Sequence, residues 1–376
     1  MQLSPQDSLR LNVLLNQSVE AIRIDDGKMI VYGLTEKGEA KIQLNPNCKD
    51  EKYVRHVREV IASHVLDSPG GYPVFLKRWT RMGQARTESL ENLLKLGEPE
   101  AVVAVVAAEG ITNEIARRAW WIMPSVDNAR RLLASIEVAN GEMGKILAEF
   151  LLEFLPFEEE PYNVIESVRL VLQPGLIKPT AQDNLWKIGQ RKNAFLVGFL
   201  MSGLKKIPLP IDEHPKLKIW RATLVKHADA ENRLARFLFM VLSQPGQAWL
   251  KTAVQVLKKP VNQGVVVAMF EAIEEYFLEI RPHSEKRRNI EQIMEEASSY
   301  CAIPESSIFK DDINKLKNDI PEIVSLLQSL FVLSCVGEQL VAPIFATTDA
   351  VGTVMRRKLE PVSKPLAKHL NLLLGL

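Results

Sequence analysis

The stretch VEAIRIDDGKMIVYGLTEKGEAKIQL, Val19 to Leu44, sets the fold class, because here apolar residues recur at every second position. Ile22 and Ile24 alternate with polar neighbours, Met29 to Leu34 forms an apolar run, and Ala40, Ile42 and Leu44 alternate again. Asp26-Gly27 and Lys37-Gly38 punctuate the runs where tight turns need small or permissive residues. The pattern predicts a three-stranded β-meander. On either side the spacing changes to that of helices. Upstream, Ser4, Pro5 and Asp7 read as an N-cap, a first-turn proline and a first-turn acid. Downstream, Val54, Val57, Ile61 and Val65 share one helical face.

From about residue 87 the reading is helix upon helix. TNEIARRAWW, SVDNARRLLASI and GEMGKILAEFLLEFL follow one another with brief breaks, and Pro124, Pro156 and Pro161 stand at the joints. Later helices show Val164, Val168, Val171 and Leu172 on one face, and Ile290, Ile293, Met294, Ala297 and Cys301 on another. The expected fold class is mainly α: a small N-terminal α+β unit followed by stacked short helices, either HEAT/armadillo-like or an irregular helical domain. The corresponding boundaries are 1–86 for the α+β unit, 87–208 for a helical domain, and 209–376 for a second helical region, either separate from the first or continuous with it. The turn-rich segment Lys205 to Lys218 marks the inner joint. The ending KPLAKHLNLLLGL reads as a docking helix or a frayed tail.

The totals agree with a soluble, multi-part chain. Its 376 residues exceed the roughly 250–300 that one core usually serves. With 47 basic and 46 acidic side chains, the net charge of +1 predicts no general attraction to nucleic acid or to an anionic membrane. Three separated cysteines, Cys48, Cys301 and Cys335, supply neither a disulfide framework nor a zinc spacing. They read as reduced thiols of a cytoplasmic protein. The N-terminus lacks the pattern of a secretory signal. Ile323 to Phe345 is apolar enough to test as a membrane span. Glu338 interrupts it, though, at a cost of about 3 kcal/mol near a bilayer centre, so a buried helix is expected.

No catalytic constellation emerges. Gly70-Gly71 is followed by Tyr72-Pro73 rather than by Lys and Ser or Thr, so SPGGYPVFLKRWTRMGQAR is not a phosphate loop. It reads as a loop leading into a strand, and as a bridge between domains. Its cations Lys77, Arg78, Arg81 and Arg86, with Trp79 and with Arg55 and Arg58 on the preceding helix, form a candidate nucleic-acid edge. The six histidines do not cluster at chelating spacing, there is no GxSxG elbow, and Glu158 to Glu160 suit a helix start. In RRAWWIMPS, Trp120 and Trp121 point about 100° apart on a helix. Core packing accounts for them most simply. The alternative makes Trp120 and Trp121, with Arg117 and Arg118, a candidate partner-binding set. No metal, cofactor or small-molecule substrate is expected.

LSPQDSLRLNVLL, YGLTEKGEAKIQLNPNC, SPGGYPVFLKRWTRMGQAR, LLKLGEPEAVVAVV, RRAWWIMPSVDNARRLL, EFLLEFLPFEEEP and SVRLVLQPGLI together resemble the DsrS proteins, over residues 1 to about 200. That family is encoded with the dissimilatory sulfite reductase genes of sulfur-oxidising bacteria. The resemblance implies a cytoplasmic accessory protein of sulfur oxidation that influences expression of that gene set, and it carries over no catalytic residue. The functional expectation is therefore a non-enzymatic scaffold acting by protein–protein binding. Two alternatives stand beside it: a nucleic-acid-binding regulator using the basic edge, and a sulfur-transfer or redox protein using Cys48.

Overall fold

The alternation between Val19 and Leu44 does form a meander. In the computed structural model, which describes residues 3–66, 87–282, 289–302 and 307–376, strands β1 (Val19–Asp25), β2 (Ile30–Thr35) and β3 (Gly38–Gln43) pair antiparallel in the order β1-β2-β3. The register sets Ile22 against Gly33 and Val31 against Ile42. The first turn is held by Asp25, whose Oδ1 accepts from the Lys28 N–H at 3.0 Å. Gly38 takes the second at φ 114°, a conformation that favours glycine.

One sheet face closes a core against α1 (Pro5–Leu15) and α2 (Asp50–Leu66). Leu11, Leu14, Ile22, Val31, Ile42, Tyr53, Val57 and Ile61 are all buried there. Helix α1 begins as its sequence predicts, with the Ser4 hydroxyl accepting from the Asp7 N–H at 3.2 Å and Pro5 in the first turn. The opposite sheet face is mixed, with Ala21, Ile30 and Leu34 buried on it beside a polar row. Arg23, Tyr32 and Lys41 are cross-strand partners, and the Arg23 guanidinium lies 4.6 Å from the Tyr32 ring centre.

The described chain divides into two compact units, residues 1–156 and 157–376. The expected joint near residue 86 lies outside the described residues, and the proline-rich segment around residues 205–218 lies within the second unit.

The first unit continues through α3 (Thr87–Leu94), α4 (Pro99–Val106), α5 (Asn113–Ile122), α6 (Val126–Leu133), α7 (Ile136–Asn140) and α8 (Glu142–Phe154). Thr112 and Ser125 cap α5 and α6 through their side-chain oxygens. Helices α3 and α5 lie against β1.

The second unit is wholly helical among its described residues. It comprises α9 (Pro161–Val171), α10 (Pro179–Gly189), α11 (Asn193–Met201), α12 (Pro215–Asp229), α13 (Arg233–Leu242), α14 (Gln244–Lys258) and α15 (Gln263–Phe277). Then follow α16 (Ile290–Ala302), α17 (Lys310–Asp319), α18 (Val324–Ser334), α19 (Ala342–Phe345) and α20 (Gly352–Leu374), with short 3-10 turns between. The fold is thus mainly α with a small N-terminal α+β portion, as the periodicity predicts.

Trp249 of α14 is fully buried, stacks on Tyr276 at 4.1 Å, and donates from Nε1 to the Leu200 carbonyl at 3.1 Å. The apolar segment tested as a membrane span contains the short buried helix α18, with Leu326, Leu327, Leu330 and Phe331 in the core. No helix among the described residues is long and apolar enough to cross a membrane. The C-terminal segment is a docking helix: Leu366, Leu370 and Leu373 of α20 are buried, and the helix packs on α14 and α18.

Candidate functional site

The four residues singled out in RRAWWIMPS lie together on α5, and three of them are tied into the first unit. Arg117 donates to Glu20 at 2.7 Å and to Glu114 at 2.6 Å. Arg118 donates to Glu114 at 2.8 Å and sits 3.5 Å from Glu91. Trp121 donates from Nε1 to Glu39 at 3.1 Å, and the Arg23 guanidinium lies 4.9 Å from its ring centre. The arginine forks around Glu114, working against its partial desolvation, hold that carboxyl down at about 2. These contacts clamp α5 onto the sheet face that carries Arg23 and Tyr32. Glu20 and Glu39 are distant in sequence, so the local string RRAWW carries no sign of them.

Trp120 behaves differently. It is half-buried and meets the Phe150 ring edge-on at 4.7 Å, and Phe150 in turn packs on Phe154 at 4.5 Å. Trp120 thereby buttresses an exposed stripe of α8. Along that stripe Ile146 is 48% exposed and Phe154 40% exposed, with Phe150 half-buried between them. Glu142, Glu149 and Glu153 flank the apolar residues, with Lys145 as the one cation of the stripe. Each lies three or four residues from the next, so they share a face. The opposite face, with Met143, Leu147, Ala148 and Leu151, is buried. Surface aromatics held by a ring beneath them have little conformational freedom left to lose on contact.

Of the candidate nucleic-acid edge, Lys77, Arg78, Trp79, Arg81 and Arg86 lie outside the described residues. Arg55 and Arg58 are on α2 and line a hollow of about 480 Å³ with Asp26, Asp50, Glu51 and Glu98. Arg58 donates to both oxygens of Asp26 at 3.1 Å and lies 3.6 Å from Glu98. Desolvation pushes the Glu98 carboxyl up, with Arg58 working against it. Four carboxylates around two arginines do not make a surface that attracts phosphates.

None of the three cysteines is in a disulfide; Cys48 is half-buried and the other two are buried. Burial pushes the Cys301 thiol up to about 11, against the pull of Lys317, which opposes thiolate chemistry there. The Cys48 sulfur sits 3.7 Å from the Lys49 carbonyl, a contact without cationic character. Among the described residues no group of three or more His, Cys, Asp or Glu is placed to hold a metal ion.

A further cleft lies elsewhere, in the second unit. A groove of about 570 Å³ runs between α20 on one side and the end of α14 with α15 on the other. Its floor is apolar, built from Leu257, Val266, Phe270 and Leu359, while Lys258, Arg356, Arg357 and Lys364 stand on its rim against one carboxylate, Glu360. Glu360 is taken up by Lys364 at 2.6 Å. Arg356 is oriented by the Pro260 carbonyl at 3.3 Å and the Thr353 hydroxyl at 2.9 Å.

On α20 the lining residues are Thr353, Arg356, Arg357, Leu359, Glu360, Ser363, Lys364 and Ala367. Their spacing of three and four puts them on one helical stripe. At 1.5 Å per residue that stripe is about 21 Å long. The other face of α20, from Met355 through Val362 and Leu366 to Leu373, is buried in its own unit. An apolar floor beneath a basic rim, the length of a four-turn helix, is suited to an acidic amphipathic helix laid along it.

The sequence reading did not find this groove. The i, i+3, i+4 spacing of Arg356, Arg357, Glu360 and Lys364 is visible in the chain, but three of the four floor residues, Leu257, Val266 and Phe270, come from helices about a hundred residues upstream. Comparison with models of known protein families, with curated proteins and with solved structures finds no match for this chain.

Proposed function

We propose that this protein acts by contact, as a non-enzymatic accessory protein that binds a protein partner through the groove along α20. The single observation that carries the reading is the groove itself. It has an apolar floor, four cations on its rim, and one complete helical stripe left open toward solvent. The three thiols and the internally paired arginines of α5 offer nothing comparable. The partner presents an acidic amphipathic segment, since that is what basic rim and apolar floor together select. The setting comes from the resemblance to the DsrS proteins: the cytoplasm of a sulfur-oxidising cell, with the partner drawn from the sulfite reductase machinery or from the control of its genes.

The test is affinity capture with the full chain from cells oxidising reduced sulfur compounds, alongside an Arg357→Glu/Lys364→Glu variant. A partner retained by the wild type should fall at least about tenfold with the variant, the scale expected when opposite charges become like ones. Identical retention by both proteins would overturn the reading.

A further inference from the structure

The chain itself carries the kind of helix that the groove selects. The α8 stripe of the first unit presents Ile146, Phe150 and Phe154 between Glu142, Glu149 and Glu153. The helix spans 13 residues, about 20 Å, against about 21 Å for the lining stripe of α20. Signs of charge are opposite, apolar residues are central on both surfaces, and both are solvent-facing.

We infer that copies of this protein associate head to tail, α8 of one copy lying in the α20 groove of the next. This rests on the proposed groove reading and names a second occupant for it: another molecule of the same chain, competing with the partner. Ile146 and Phe154 cover the floor formed by Leu257, Val266 and Phe270, while Glu149 and Glu153 face Arg357 and Lys364. Lys145 is the one like-charge element, and it lies toward the start of α8, away from Glu153. The Trp120–Phe150–Phe154 stack presents the helix face with its rings already in place, which lowers the cost of ordering. Because the two surfaces differ, the contact is heterologous. An open assembly keeps one surface unused at each end, so association continues until a ring closes.

The experiment is sedimentation velocity on the full chain at low salt, over roughly 1 to 200 µM, the range in which a modest interface is half-occupied. Two variants are compared: Arg357→Glu/Lys364→Glu in the groove and Ile146→Asp/Phe154→Asp on α8. All four positions are solvent-facing, and circular dichroism checks that each variant is folded. The wild type should grow in mass past the dimer as concentration rises, and shrink again in about 0.5 M salt, where charge pairs are screened. Each variant alone should remain monomeric. An equimolar mixture of the two should form dimers and stop there, because one intact α8 and one intact groove remain between them.

A wild type that stays monomeric throughout would overturn the inference, as would a dimer that neither variant disturbs or a mixture that fails to pair. If the wild type is monomeric while the groove variant still loses a captured partner, self-association fails and the proposed function stands.

Discussion

Asp7 shows how little of a buried polar arrangement is written locally. In the sequence it reads as an acid in the first turn of a helix, favoured by the dipole. In the fold it is fully buried, and its Oδ2 accepts from the Tyr53 hydroxyl at 2.5 Å and from the Asn45 N–H at 2.7 Å. Burial alone would raise this carboxyl; the hydrogen bonds from Tyr53, Asn45 and Ser4 outweigh it and hold the group below its ordinary value. Nothing near Asp7 in the chain announces a phenol 46 residues away. Tyr53→Phe deletes one donor and leaves a buried carboxylate short of a partner. We expect it to cost about 2 kcal/mol, read as a lower urea midpoint for the first unit. A loss under about 0.5 kcal/mol would mean that another donor takes the phenol's place.

Helices were legible wherever apolar residues recurred at three and four with a cap or a proline beside them. Thr112, Ser125 and Pro161 each open the helix that their type predicts. What periodicity does not reveal is how closely two helices approach. On α11, a β-carbon placed on Gly198 would come within 2.6 Å of the Val168 side chain and 2.9 Å of the Ile165 carbonyl on α9. Gly198 is therefore the contact surface of that pair, although in the string NAFLVGFLM it looks like a weak point in a helix. Gly198→Ala should destabilise the second unit by about 2 kcal/mol, because overpacking outweighs the gain in helix propensity. Gly264→Ala, near the start of α15, meets only one atom within 4 Å, at 3.8 Å. It should be neutral or stabilising by up to about 1 kcal/mol. Thermal melts of the two variants give the comparison. Equal shifts would show that α9 and α11 separate at no cost. The groove escaped the reading for the same reason as Gly198: its chemistry depends on which faces meet.

At the scale of the whole molecule, the two units have separate cores and different responses to acid. In the second unit, His369 is buried on α20, with Nδ1 3.1 Å from the Ser329 hydroxyl. Burial first, and Lys368 second, bring its pKa from 6.5 down to about 4. Burial and Lys216 lower His214 as well. A histidine whose folded value is depressed stays neutral in the native state while the unfolded chain takes up a proton. Stability is then present above pH 6.5 and declines as pH falls toward 4. In the first unit, the hydrogen bonds to Asp7 are lost only below the ordinary carboxyl range, near 3.8. Desolvation raises Glu98, which works in the opposite direction and favours the folded first unit as the pH drops toward 4.5. Calorimetry should therefore show two transitions that separate between pH 6.5 and 4.5, the second unit's midpoint falling while the first unit's holds. Tyr53→Phe identifies the first transition and Gly198→Ala the second. His369→Asn keeps a donor for Ser329 but cannot titrate in this range. It should remove about 2 kcal/mol of the second unit's acid-linked loss, so its midpoint would follow pH less steeply. If a single transition moves with both marker substitutions, the units fold as one and the acid response belongs to the whole chain. If His369→Asn leaves the slope untouched, the proton is taken up at another group of the second unit.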